Sequence, residues 1–153
     1  MSIEITMLKN AEYACMVENW IIDYENEKGC GINRLKVEKG EDFPGIYAFK
    51  NDMLIGGLTF CVQNDWLFLH CGFVLPEYRG KRIYSTFLHE LEIFAKKSKL
   101  SGIHVSTYSF EAPHIYEHLG FRKGAALKDL PKGNTSIDYY KYLRQEKEDA
   151  DNE

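Results

Sequence analysis

The ten residues from Trp66 to Leu75, WLFLHCGFVL, constrain the fold more than any other stretch. The run is apolar on both alternating faces, as a strand covered on two sides must be. It therefore predicts the central strand of a sheet. Gly72 interrupts it, and a glycine inside a strand marks a bulge or a close backbone approach. Directly after the run comes Glu77–Ser85, EYRGKRIYS, followed by a helical pattern. A basic, glycine-containing turn thus lies between a buried strand and a helix N-terminus.

The rest of the chain supplies a sheet around that strand. Residues 3–8 alternate and predict a first strand. Tyr13, Val17, Trp20, Ile21 and Tyr24 fall on one face of a helix over 10–28, with Gly29 as its stop. Residues 29–43 read as loop, with room for a short helix. Strands 45–50 and 53–63 are joined by Asn51-Asp52, a two-residue hairpin turn, and Asn64-Asp65 leads into the central run. A helix over 82–99 carries Ile83, Phe87, Leu88, Leu91, Phe94 and Ala95 on one stripe. Then follow a strand at 102–107, a short helix over 109–121 and a hairpin of 121–127 with 135–143. The order β-α-β-β-β-α-β-α-β-β predicts an α+β fold: a mixed sheet of seven strands with helices on its faces.

Composition narrows the class. The 153 residues fit one domain, taken as 1–144, and 44% hydrophobic content fits a packed core. The charged end, QEKEDADNE at 145–153, is expected to be disordered. A net charge of −4 argues against nucleic acid and acidic membranes as partners. No run is long enough to span a bilayer, and the N-terminus lacks the order of a signal peptide. Cys15, Cys30, Cys61 and Cys71 form no Cys-x-x-Cys pair and no zinc-like cluster with histidine, so no metal is expected. Free thiols suit a reducing cytoplasm.

The first N–H groups of a helix lack internal partners and, with the helix dipole, attract anions. EYRGKRIYS adds Arg79, Lys81 and Arg82, which suit phosphate. Neither the Walker nor the dinucleotide glycine pattern is present.

The run FVLPEYRGKRIYSTFL, with SFEAPHIYEHLGF after it, resembles the GNAT superfamily of acetyl-CoA-dependent N-acetyltransferases. The likeness covers residues 45–143, and PKGNTSIDYYKYL resembles a bacterial small-molecule subgroup. It implies a mostly antiparallel sheet splayed at a bulge, with acetyl-CoA as co-substrate in the gap. It assigns main-chain bonds to the pantetheine arm to Phe73, Val74 and Leu75, with an oxyanion-binding N–H near Val74. The pyrophosphate falls to the turn of Arg79, Gly80, Lys81, Arg82, Ile83, Tyr84 and Ser85, and a cofactor contact to Ser109. Two positions depart from the family pattern: Arg82 and Tyr84 stand where glycine and a small residue are usual.

Acetyl transfer to an amine needs a neutral amine, an oxyanion donor and a proton for the leaving thiolate. The resemblance gives Tyr116 the thiolate side. His70, on the central strand, is the candidate base, since histidine titrates near neutrality. Glu77 and Glu111 are alternatives, while His104 and His114 read as structural. The acceptor is expected to be a small-molecule amine, with a protein lysine or N-terminus as the alternative, in a groove lined by residues 20–43 and Trp66 or Phe68. A homodimer is a habit of the family. Two readings compete with an acetyltransferase: a silent GNAT-fold module that binds a ligand or partner, and a transferase of longer acyl groups.

Overall fold

The computed structural model describes residues 2–29 and 32–143; the charged end and its expected disorder lie outside them. Seven strands make one sheet: β1 (Glu4–Lys9), β2 (Pro44–Lys50), β3 (Met53–Gln63), β4 (Trp66–Val74), β5 (Gly102–Tyr108), β6 (Arg122–Lys128) and β7 (Thr135–Tyr142). Their order across the sheet is β1-β2-β3-β4-β5-β7-β6. All neighbours are antiparallel except β4 and β5. The GNAT fold expected from the motifs is the fold observed.

Local chemistry accounts for the elements. Both turn pairs of the β2-β3-β4 meander are left-handed, Asn51 and Asp52 at φ 51° and 63°, Asn64 and Asp65 at 52° and 63°. That is the type I′ geometry whose twist matches the flanking strands, and Asn and Asp tolerate it best after glycine. Helix α1 (Ala11–Lys28) is capped by the Asn10 side chain, which accepts the Tyr13 N–H at 3.0 Å. Helix α2 (Ile83–Lys97) begins one residue later than its pattern predicts and ends two earlier. Arg82 before it and Lys99 after it are both left-handed, at φ 61° and 57°. Helix α3 is only His114–His118, far shorter than the expected 109–121. Ala112 at φ 55° and the Pro113 cap delay its start, and Ser109–Ala112 form a turn instead. The segment before β2 holds no helix among the described residues.

Helices α1 and α2 cover opposite faces. Tyr47 packs with Val17 of α1, whereas its neighbours Ile46 and Ala48 pack with Ile83, Phe87 and Leu91 of α2. The period-2 alternation of a strand requires this division. The predicted face packs inward through Val17, with Tyr13 and Trp20 half-buried against the Val17–Tyr47–Leu54 cluster, and the most buried line of α1 is offset beside it: Ala14, Val17, Glu18, Ile22, Glu25. Two carboxylates therefore lie on the inward side of α1. Strand β6 is exposed along its length and carries Arg122, Lys123 and Lys128, charges that discourage pairing with another edge. Among the described residues, no helix is long and apolar enough to cross a membrane.

The bulge is not at Gly72. Thr59 pairs with Cys71 and Phe60 with Leu69, so His70 is the extra residue. Gly72 serves close approach instead: a Cβ there would stand 2.8 Å from the Tyr84 ring.

Candidate active site

Strands β4 and β5 pair only over three positions, Trp66–Phe68 against Gly102–His104. Beyond these, β4 stays with β3 to Val74 and β5 stays with β7 to Tyr108. The two halves of the sheet diverge, and the gap is a cavity of about 540 Å³. Its wall includes His70, Phe73, Val74, Arg79, Tyr84 and Tyr116, together with Glu25, Arg34 and Glu111. Trp66 and Phe68 sit at the zipped end, outside the cavity. Trp66 lies over Gly102 and against Tyr142, and Phe68 against His104.

The pleat decides which main-chain groups face the gap. The Leu75 N–H donates to the Ile55 carbonyl at 2.9 Å, so Leu75 is committed to β3. Bonding sides alternate along an antiparallel strand, so Phe73, opposite Gly57, also points its N–H and C=O at β3. Val74 points the other way. Of Phe73, Val74 and Leu75, only Val74 turns its main-chain groups away from β3, while Phe73 belongs to the cavity wall. Arg79 Nε already donates to the Val74 carbonyl at 2.9 Å, and its guanidinium lies 4.9 Å from the Phe73 ring centroid. Arg79 therefore lies along the cavity wall, although the residue remains exposed.

The turn leaves the N-terminus of α2 open. Helix α2 has no side-chain cap, and its first helical bond runs from the Thr86 N–H to the Arg82 carbonyl at 3.0 Å. The N–H groups of Ile83, Tyr84 and Ser85 precede that bond and lack helical acceptors. Gly80 is left-handed at φ 81° with open space about it, and Lys81 and Arg82 are exposed beside it. Arg82 takes the left-handed conformation that glycine would take there, at a cost of roughly 1 kcal/mol. The Ile83 side chain is core, 4% exposed. The Ser109 hydroxyl accepts the Thr135 N–H at 3.0 Å, and Ser109 is not part of the cavity wall.

Tyr84 turns inward. Its hydroxyl lies 2.7 Å from that of Tyr116, a hydrogen bond between two phenols. Burial pushes the Tyr84 phenol up to about 12. Burial holds Tyr116 well above the ordinary tyrosine range, and the shared hydrogen bond favours the first of the two phenols to ionise at the expense of the second.

A polar cluster closes another part of the cavity. Loop residues are held to α1 by two asparagines. Asn19 bonds both main-chain groups of Val37, and Asn26 both of Arg34. Arg34 Nη1 in turn donates to Glu25 Oε1. Glu111 accepts the Tyr108 N–H at 2.9 Å and lies close to the Glu25 carboxyl. Burial raises the Glu111 carboxyl to about 8; the Tyr108 N–H works against this and Glu25 reinforces it. His70 Nε2 is 3.8 Å from Glu18 Oε1, and its ring meets Phe43 edge-on at 5.0 Å. Glu18, His70 and Cys71 have ligand-type atoms within 4.8 Å of one another, a grouping that sequence spacing does not reveal. Burial, then Glu18, pushes the Cys71 thiol up to about 12, so it is protonated and a poor ligand as it stands.

Other candidates lie elsewhere. Glu77 is exposed on the one-turn helix Pro76–Tyr78. His104 sits 3.8 Å from Asp138, and His114 is exposed beside Glu117. Sequence reasoning missed Glu25 and Arg34. The signal for Glu25 was present, since Glu18 and Glu25 stand seven apart, in line with Ala14 and Ile22 on α1.

Residues 5–121 match the profile of the Acetyltransferase (GNAT) family, and the chain belongs to that family. Over 84 residues it is 34% identical to a blasticidin-S acetyltransferase of Streptomyces morookaense, a match covering 54% of this chain and 62% of that protein. The chain thus spans less than two thirds of that relative's length. An N-acetyltransferase of Staphylococcus aureus shares the fold with TM-score 0.69 at 14% identity, over 94% of this chain and all of that one, 100%. A Bacillus anthracis protein solved in complex with acetyl coenzyme A aligns with TM-score 0.59 at 16% identity, over 74% and 70% of the two chains. At such identities these structures bear on the fold alone.

Proposed function

We propose that the protein is an N-acetyltransferase that moves the acetyl group of acetyl-CoA to a primary amine of a small molecule, by direct attack in a ternary complex. The observation that carries this reading is the three-residue pairing of β4 with β5, which opens a cavity where an extended thioester arm can lie. Val74 would supply its free N–H to the developing oxyanion. The N-terminus of α2, with Lys81 and Arg82, would bind the pyrophosphate. Tyr116 would protonate the leaving thiolate. His70, beside Glu18, is the proposed base, with Glu111 as the alternative.

Glu25 and Glu111 in the cavity wall, with Glu18 behind His70, offer carboxyl acceptors that suit the N–H groups of an amine acceptor. Likeness to a blasticidin-S acetyltransferase makes blasticidin S the first amine to try. Cys15, Cys61 and Cys71 are free thiols, which supports a cytoplasmic location.

Arg79 favours a second reading. Its guanidinium occupies the Val74 carbonyl, the acceptor an arm in the gap would use. If it does not withdraw, the protein is a silent module of the same fold. Calorimetric titration with acetyl-CoA separates the two. Micromolar binding, followed by release of free CoA with one member of an amine panel, supports the enzyme. No binding at millimolar ligand rejects it.

A further inference from the structure

Tyr84 stands where the family pattern has a small residue, yet it does not obstruct the turn. Its ring lies on the bare backbone of Gly72, and its hydroxyl meets that of Tyr116 at 2.7 Å. Both rings line the cavity, edge to face, with centroids 6.4 Å apart. Among the described residues, neither hydroxyl has another protein partner in hydrogen-bond range.

A phenol has one proton. If Tyr116 donates to Tyr84, its proton is spent inside the pair. If Tyr84 donates to Tyr116, the Tyr116 proton is left to point into the cavity. The second arrangement also serves the state after transfer. Tyr116 is 5% exposed, and a phenolate there without a donor carries a large desolvation penalty. A hydrogen bond to a charged oxygen is worth more than one to a neutral oxygen, so the bond from Tyr84 strengthens as the charge forms.

We propose that Tyr84 is a positioning residue for the thiolate-protonation step, orienting the Tyr116 proton toward the leaving sulfur and stabilising the phenolate that remains. This rests on the reading of Tyr116 given above. The step balances. The amine nitrogen bonds to the carbonyl carbon, and the carbon–sulfur bond breaks toward sulfur. The Tyr116 O–H proton passes to the thiolate, and the proton lost by nitrogen leaves through the base to solvent. Solvent returns one proton to Tyr116 after the products depart.

The test uses Tyr84→Phe, Tyr116→Phe and the double variant. Each keeps its ring, so the packing on Gly72 remains, and thermal unfolding checks the fold. The substrates are acetyl-CoA and the amine with the highest turnover in the panel led by blasticidin S, with release of CoA thiol as the readout. Expected for Tyr84→Phe is a fall in kcat of about tenfold, with the acetyl-CoA KM within about twofold of the parent. Because Tyr84 acts through Tyr116, the double variant should be no slower than Tyr116→Phe. If Tyr116→Phe is slow but Tyr84→Phe keeps full kcat, or changes only KM, the positioning role is rejected and Tyr116 keeps its own. Full activity in Tyr116→Phe removes both, as does a panel in which no amine is acetylated.

Discussion

The Tyr84 ring rests directly on the main chain of Gly72: a Cβ at that glycine would come within 2.8 Å of both a ring carbon and the hydroxyl oxygen. The glycine of the central strand and the tyrosine of the basic turn are thus two halves of one packing feature. Gly72→Ala should displace the ring and lower unfolding free energy by about 1–3 kcal/mol, the usual cost of overpacking. Turnover should fall with it, because the Tyr84–Tyr116 bond depends on that seat. Chemical denaturation and a steady-state assay measure both; unchanged stability would mean the ring relocates freely.

Lys81 and Arg82 are the cations at the free N-terminus of α2. The double variant Lys81→Ala/Arg82→Gly removes both charges while giving the left-handed position its best-suited residue. Unfolding free energy should change by less than about 1 kcal/mol, since relieved strain offsets added chain entropy. The Kd for acetyl-CoA, read by calorimetry, should rise about tenfold or more and lose part of its salt dependence. Unaltered binding would move the pyrophosphate away from this turn.

Glu111 should make stability depend on pH. Its folded pKa is raised from 4.5 to about 8. Between those values the folded state holds more protons than the unfolded state, so stability falls as pH rises and levels off above about 8. Glu111→Gln keeps an acceptor for the Tyr108 N–H and adds a donor for Glu25. It should flatten this decline, melting a few degrees above the parent at pH 8 and near it at pH 5. Parallel pH curves for the two proteins would assign the decline to other groups.

His70 is the bulged residue of β4, and the bulge aims its ring at the cavity beside Glu18. His70→Asn should lower kcat about tenfold or more near neutral pH, with the acetyl-CoA Kd unchanged. A fully active variant would pass the base to Glu111 or to solvent.

The sequence by itself determined the order of elements, the hairpin turns and the central strand, because each is written in local periodicity or in residues that tolerate positive φ. The family motifs at 77–85 and 109–121 likewise pointed to the strand–turn–helix and to Tyr116. Only the tertiary structure decided which main-chain groups face the gap, because the β3 register commits Phe73 and Leu75 and leaves Val74. It moved the bulge from Gly72 to His70, since a bulge is defined by the partner strand. It turned Tyr84 inward, laid Arg79 along the cavity wall and brought Glu25, Arg34 and Glu111 together from a helix, a loop and a turn. Such contacts span up to 86 residues of chain, as between Glu25 and Glu111, and no local pattern encodes which distant side chain will answer a buried charge.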